Sequence, residues 1–181
     1  MHSTDRGTDG ASNLDAFIAS IESPGLLAIA RHWQAARAGK RVAAWSKLSP
    51  SAIAPYLTLL WSFRYDRQSG EFAGRLAGNR IMVASGHSFR GTTLKDLHSP
   101  EICERSHAEF TRLVTTPALY HCRGPLFRAG GKITEGERIV MPLAEDGEHA
   151  DGLLGASEYV VPPVTGCPFE LISENAEWYA I

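Results

Sequence analysis

Apolar positions recur at helical spacing near the start of the chain. Four of them lie three or four residues apart and predict one buried stripe: Leu14, Phe17, Ile18 and Ile21. Ser23 and Pro24 are typical of a helix start, and Gly39 is typical of a left-handed helix end. Residues 13–56 are therefore predicted to form mainly N-terminal helices. Residues 1–12 are polar and rich in Gly, Ser and Thr, which predicts a flexible tail.

The hydrophobic pattern changes to period two after residue 56. Trp61, Phe63 and Tyr65 alternate with other side chains, which predicts a strand with one buried face. The segment EFAGRLAG alternates in the same way, and the turn-forming DRQSG before it predicts an antiparallel hairpin. Three more strands, separated by turns that contain glycine, are predicted near the end: ALYHCRGPLFRA, KITEGERIVMPL and ADGLLGASEYVV.

Helical segments are predicted between the second and third strands. NRIMVAS and TTLKDL are short, whereas SPEICERSHAEFTRLVTT begins with Ser99 and Pro100 and has the length of a full helix. This order of elements indicates an α+β fold with an antiparallel sheet rather than βαβ alternation. We expect the core to span residues 57–161. A Pro-rich C-terminal extension, residues 162–181, is predicted to end in a short amphipathic turn.

Composition narrows the classes of protein. A net charge of −2 and a pI of about 6.4 supply no broad basic surface for nucleic acid. No apolar run approaches the roughly 20 residues that span a bilayer, so we expect a cytoplasmic protein with no membrane partner. Cys103, Cys122 and Cys167 are widely spaced, which predicts reduced thiols rather than a disulfide framework.

The sequence lacks the usual motifs of catalysis and nucleotide binding. Gly74 and Gly78 in EFAGRLAGNR are not followed by the lysine and hydroxyl residue of a phosphate-binding loop. HExxH and G-x-S-x-G are also missing, so no catalytic residue is predicted and we expect a protein that is not an enzyme. His121 and Cys122 are neighbours on a predicted strand and point to opposite faces, so this histidine cannot easily act as a base for this cysteine.

Histidine and cysteine side chains leave a metal or haem site as an alternative. The candidates are His98, Cys103, His107 and His121. Cys103 and His107 are four residues apart on the predicted helix and share a face. Zinc takes three or four protein ligands, and the remaining ones would have to come from another strand. The sequence identifies no cofactor.

Three segments of the chain resemble a known family. They are SPSAIAPYL with the helix before it, FAGRLAGNRI with the following G-x-x-x-x-G-x-x-L-x-D-L pattern, and the hairpin ERIVMPLAEDG. Over about residues 26–160 they resemble the PAS-like family of alphaproteobacteria. The resemblance implies a five-stranded antiparallel sheet covered by short helices and one longer helix, here with an N-terminal helical extension. It also implies a sensory or protein-interaction module, although the fold does not identify a ligand.

A curved sheet covered by helices has a concave space in which small molecules are commonly held. We therefore expect a non-enzymatic sensory module of bacterial signalling that binds a small molecule, a partner protein or both. The predicted ligand-binding residues are Trp61, Phe63, Arg75, Leu76, Asn79, Arg80, Met82, Phe110, Tyr120, Arg138 and Met141. The apolar stripe of residues 13–38 predicts a homodimer or partner surface. The alternatives are a ligand-free structural adaptor and the metal or haem protein.

Overall fold

The computed structural model describes residues 6–85, 89–129, 131–159, 169–172 and 175–181. The helices are α1 (Arg6–Ser20), α2 (Pro24–Arg37), two 3-10 helices (Trp45–Lys47 and Pro50–Leu59), α3 (Asn79–Ser85), α4 (Leu94–Leu97) and α5 (Pro100–Thr115). The strands are β1 (Leu60–Asp66), β2 (Glu71–Ala77), β3 (Ala118–Ala129), β4 (Lys132–Leu143), β5 (Gly152–Tyr159), β6 (Phe169–Leu171) and β7 (Ala176–Ala180).

The described strands form one antiparallel sheet of seven strands. Its order is β2-β1-β5-β4-β3-β6, and β7 also pairs with β3. Strands β1 to β5 are the five that the sequence predicts, which confirms the α+β class and the PAS-like fold. The sheet is wider than expected because the C-terminal extension adds two strands. The amphipathic turn predicted there is wrong: Ala176–Ala180 pairs with Ala118–Cys122 and covers part of the outer edge of β3.

Helix α1 is longer than the sequence pattern suggests. It begins at Arg6, inside the segment predicted as a tail, so the predicted tail over residues 1–12 is too long. Residues 1–5 lie outside the described part of the chain. Leu14 and Phe17 are buried and anchor the helix. Helix formation propagates readily from an anchored turn, which lets α1 extend through a polar N-terminal segment of low helix propensity.

Helix α2 begins and ends close to the predicted positions. The Ser23 hydroxyl accepts a hydrogen bond from the Leu26 N–H at 3.1 Å, as an N-cap does. The left-handed helix end falls on Ala38, with a φ of 50°, one residue before the predicted Gly39. On the buried side of α2, the Trp33 indole N–H donates to the Pro142 carbonyl at 2.9 Å. This bond fixes α2 against β4.

Both faces of the sheet are buried, which the alternation along β1 did not predict. One face, here called the N-terminal face, is covered by α1, α2 and the longer 3-10 helix. Its buried apolar side chains from the sheet are Leu60, Leu119, Ile139, Met141, Leu143, Leu154 and Ala156. The opposite face, here called the α5 face, is covered by α3, α4 and α5. Its buried side chains from the sheet include Trp61, Phe63, Phe72, Tyr120, Cys122, Val140 and Leu153.

Gly74 on β2 admits the chain that connects α3 and α4. A Cβ atom at this position would lie 2.2 Å from the Phe89 carbonyl oxygen, so only glycine allows the approach. The Gly74 N–H donates to the Thr92 carbonyl and the Gly91 N–H donates to the Gly74 carbonyl, both at 2.7 Å. Gly74, which does not belong to a phosphate-binding motif, therefore has a packing role at the sheet edge.

The apolar stripe of the N-terminal helices is already buried within this chain. Phe17, Leu26 and Ile29 have no exposed surface and pack on the N-terminal face of the sheet. The homodimer prediction depended on this stripe lacking a partner. Its physical basis is therefore removed, since the sheet is the partner.

Candidate functional site

An aromatic layer separates β1 from α5. The Trp61 and Phe110 rings stack at a centroid distance of 5.7 Å, and Phe63 contacts Phe110 at 5.6 Å. Phe89 adds a fourth ring at 5.0 Å from Phe63. The structure thus brings three of the predicted ligand-binding residues together on the α5 face, with offset and tilted ring contacts of the favourable kind.

Trp61 reaches across β5 at Gly155. A Cβ atom on this glycine would lie 2.1 Å from the indole ring, so a larger residue would displace the ring. The ring position lets the Trp61 Nε1–H donate to the Ser157 hydroxyl at 3.1 Å. Gly155 therefore sets where the polar edge of the indole points.

A polar row crosses the α5 face on three adjacent strands. Cys122 on β3 pairs in register with Arg138 on β4, and Arg138 pairs with Ser157 on β5. The Arg138 Nε–H donates to the Ser157 hydroxyl at 3.2 Å. Arg138 is only 8% exposed and Ser157 is fully buried. A guanidinium group is thus enclosed beside an aromatic layer, where an unpaired charge is costly.

The titratable neighbours of Arg138 are held in their neutral forms. Burial, followed by the charge of Arg138, lowers the pKa of His98 to about 4. Burial raises the pKa of Tyr120 well above its usual range and also raises the pKa of the Cys122 thiol. At neutral pH these three groups therefore offer dipoles and no opposing charge.

Three predicted apolar residues do not line the α5 face. Met141 is fully buried on the N-terminal face, because alternation along β4 places it opposite Arg138 and Val140. Leu76 and Met82 are 45% and 41% exposed, on the edge strand β2 and on α3. All three side chains are apolar, but the periodicity of the sequence could not assign them to one face of the sheet. Tyr120, by contrast, is buried on the α5 face.

Four polar residues predicted to bind the ligand, here called the polar anchors, are separated in the structure. Arg75 is exposed and its guanidinium carbon lies 4.5 Å from the centre of the Trp45 ring, a cation–π contact. Asn79 is exposed at the start of α3. Arg80 is also exposed and donates to the Tyr159 carbonyl at 3.4 Å. Of the four predicted anchors, Arg138 alone is buried.

The N-terminal face has a buried charge of the opposite sign. The Glu137 carboxylate accepts hydrogen bonds from the N–H groups of Glu22 at 2.9 Å and Ser23 at 2.6 Å. It also lies 2.8 Å from the buried His121 Nε2. These contacts hold the junction between α1 and α2 against β3 and β4, at the positive end of α2. His121 and Cys122 do face opposite sides, as predicted.

An open surface pocket of about 470 Å³ lies beside this junction. Its lining is Glu22, Ser23, Arg123, Gly124, Glu135, Gly136, Glu137, Glu158 and Tyr159. Arg123 forms an ion pair with Glu22, and the Ser23 hydroxyl donates to Glu158. The carboxylates of Glu22, Glu137 and Glu158 in this pocket therefore have partners within the chain.

The candidate metal ligands are dispersed. His107 Nε2 lies 2.7 Å from the Gly70 carbonyl oxygen, while His121 contacts Glu137 on the other side of the sheet. His98 lies near Arg138 on the α5 face. Across the described ranges, no group of three or more His, Cys, Asp or Glu side chains is arranged to hold a metal ion. The geometry thus offers no support for the metal alternative.

Two residues beside Arg138 were missed as ligand-binding candidates: Ser157 in the polar row and His98 before α5. Ser157 lies in GLLGASEYVV, where its alternation with Gly155 marks only a strand face. His98 was considered only as a metal ligand. The sequence shows Arg138 as a charged residue in a predicted strand, which suggests that polar partners lie nearby. Those partners depend on the register of β3, β4 and β5, which a sequence pattern does not supply.

The fold is a small α+β module with both faces of its sheet covered. A family model described as a PAS domain matches residues 21–158, and the chain belongs to this family. PAS domains are typically sensory or regulatory modules without catalysis. The match leaves out α1, β6 and β7. Of these, α1 and β7 pack together where the Phe17 and Tyr179 rings lie 5.6 Å apart. No curated protein matches the chain.

No helix among the described residues is both long enough and apolar enough to cross a membrane.

Proposed function

We propose that the protein is a PAS-type sensory module that binds a small molecule at the α5 face and passes the binding event to the N-terminal helices. The observation that carries this proposal is the buried polar row of Arg138 and Ser157 next to the Trp61 indole. A core that served only for packing would use apolar groups here, because buried polar groups need partners. Small-molecule sites characteristically combine apolar walls with a few polar groups.

Strand β4 is the proposed connection between the two faces. Arg138 faces α5, and the adjacent Glu137 holds the backbone of Glu22 and Ser23 at the start of α2. A shift or twist of β4 on ligand binding would alter both contacts, because neighbouring strand residues share one backbone. The α1–α2 junction is the element whose position would report the bound state to a signalling partner.

A ligand screen with a matched pair of variants tests the proposed location. Ser157 and Ser62 are both buried on adjacent strands, but Ser62 is on β1 with its side chain on the N-terminal face. A ligand of the native state raises the melting temperature through linkage. We expect at least one compound from a metabolite set to stabilise the wild type and Ser62→Ala but to lose its effect in Ser157→Ala.

Native mass spectrometry of freshly purified protein complements the screen. A retained small molecule would give a mass above that of the chain, and its loss in Ser157→Ala would locate it. A uniformly negative screen together with the bare chain mass would contradict the proposal. The ligand-free adaptor would then be favoured, since the stacked Trp61 and Phe110 rings already fill part of the interior.

A further inference from the structure

Two N–H groups donate hydrogen bonds to the single hydroxyl oxygen of Ser157. The Ser157 oxygen accepts from the Trp61 indole at 3.1 Å and from the Arg138 Nε–H at 3.2 Å. A serine oxygen has two lone pairs, so these bonds use its acceptor capacity. A guanidinium carries five N–H donors, of which the bond to Ser157 uses one. The Ser157 oxygen therefore has no acceptor capacity left for the other N–H groups of Arg138.

The charge of Arg138 has no close counter-ion in the described part of the chain. The ion pairs found there do not include Arg138. Glu109 on α5 is near enough for its charge to act on Tyr120 and Cys122, and it is only half-buried. His98, Tyr120 and Cys122 approach from the link before α5 and from β3, and at neutral pH none of them carries a negative charge. Arg138 is therefore the one buried charged side chain of the α5 face in the described part of the chain.

We propose that the ligand of the α5 face is a small carboxylate anion whose oxygens accept from the Arg138 guanidinium. This inference rests on the proposed function, because it specifies the ligand class of the same site. A carboxylate supplies the missing charge, and its two oxygens match the parallel N–H groups of a guanidinium. The Trp61, Phe63 and Phe110 rings favour an apolar body attached to that carboxylate.

Paired probes separate charge recognition from apolar recognition. The probes are the sodium salts of acetate, butyrate, hexanoate, benzoate and succinate, each compared with its neutral amide. Isothermal calorimetry at neutral pH measures affinity. We expect at least one carboxylate to bind the wild type and its amide to bind at least about tenfold more weakly, since a buried charged partner is lost.

Three variants assign the effect to Arg138. Arg138→Met is expected to weaken carboxylate binding at least about tenfold. Arg138→Lys should give an intermediate affinity, because it keeps the positive charge but lacks the parallel N–H groups of a guanidinium. Arg64→Gln, an exposed arginine on β1, is the matched control and should bind as the wild type does. Near-ultraviolet circular dichroism confirms that each variant is folded. In the wild type, binding should also shift the Arg138 Nε–H resonance.

The outcomes distinguish this inference from the proposed function. If only the amides bind, the ligand class is wrong. If carboxylate binding survives in Arg138→Met, recognition by Arg138 is wrong. The binding module stands in both cases. If neither these probes nor the wider metabolite set binds to the wild type, both are overturned. Carboxylate binding that is lost with Arg138 supports both.

Discussion

The two faces of the sheet enclose charges of opposite sign, and these charges have different bonding partners. On the N-terminal face, the Glu137 carboxylate is satisfied by two backbone N–H groups and His121. On the α5 face, the hydrogen bond of Arg138 goes to a neutral hydroxyl that already accepts from Trp61. The proposal of a binding site on the α5 face, and of a purely structural charge on the N-terminal face, rests on this difference.

Adjacent positions on β4 make this contrast unusually direct. Glu137 and Arg138 have the same backbone environment and similar burial, yet they point to opposite sides of the sheet. Removing a satisfied buried charge leaves its partners without bonds, whereas removing an under-satisfied charge removes a desolvation cost. Removing the charge of Glu137 should therefore lower the free energy of unfolding, whereas removing the charge of Arg138 should not.

The largest effect is expected from the core of the N-terminal face. Trp33→Ala should lower the free energy of unfolding by about 3–5 kcal/mol, because a fully buried indole leaves a cavity. Urea denaturation measures the change. Trp33→Phe is the control and should cost about 1–3 kcal/mol, since it keeps most of the volume but leaves the Pro142 carbonyl unpaired. A loss below about 1 kcal/mol for the alanine variant would show that α2 is not part of the core.

The next effect concerns the buried carboxylate. Glu137→Ala should lower the free energy of unfolding by about 3 kcal/mol, because His121 and the N–H groups of Glu22 and Ser23 lose their acceptor. Glu135→Ala, an exposed glutamate on the same strand, is the matched control and should change stability by less than about 0.5 kcal/mol. Equal effects of the two variants would mean that Glu137 does not hold the α1–α2 junction. Hydrogen exchange at residues 22–26 should accelerate in Glu137→Ala.

A smaller effect is expected from pH on the α5 face. The pKa of His98 is about 4 in the folded protein, below its ordinary value of 6.5, so the unfolded chain binds the proton more readily. The stability due to the neutral histidine is present above about pH 6.5 and is lost as pH falls towards 4. Between pH 7 and pH 5 the loss should reach roughly 2 kcal/mol.

Variants of two histidines isolate this pH dependence. His98→Asn should flatten the fall in unfolding free energy between pH 7 and pH 5, because the titrating group is gone. His149→Asn should keep it, since His149 is exposed beside Asp146. An unchanged slope in His98→Asn would contradict the assignment of the effect to the α5 face.

Alternation and helix-start residues predicted most of the fold. The ranges of β3 and β4 agree with the structure, and so does the start of α5 after Ser99. The pattern makes Glu137 and Arg138 neighbours on one strand, and such neighbours point to opposite faces. It could not assign Met141 to the N-terminal face, because period two separates two faces without saying what covers each. The strands of the C-terminal extension were missed since their pairing with β3 is a long-range contact.

The candidate site was less predictable than the fold. Trp61, Phe63, Phe110, Tyr120 and Arg138 lie together on the α5 face, and their role in ligand binding stays a prediction. Leu76 and Met82 are apolar but exposed, and no local pattern distinguishes such residues from a pocket lining. Ser157 became part of the site only through the register of β4 and β5. Polar partners across strands are fixed by tertiary pairing, which explains their absence from the sequence prediction.

The most direct test of the contrast between the faces is the free energy of unfolding of Arg138→Met, measured by urea denaturation in carboxylate-free buffer at neutral pH. We expect a value equal to that of the wild type or higher by up to about 2 kcal/mol, because a buried charge without a close counter-ion is replaced by an apolar chain of similar length. A decrease of more than about 1 kcal/mol would contradict this expectation. Such a decrease would show that Arg138, like Glu137, is a satisfied structural charge.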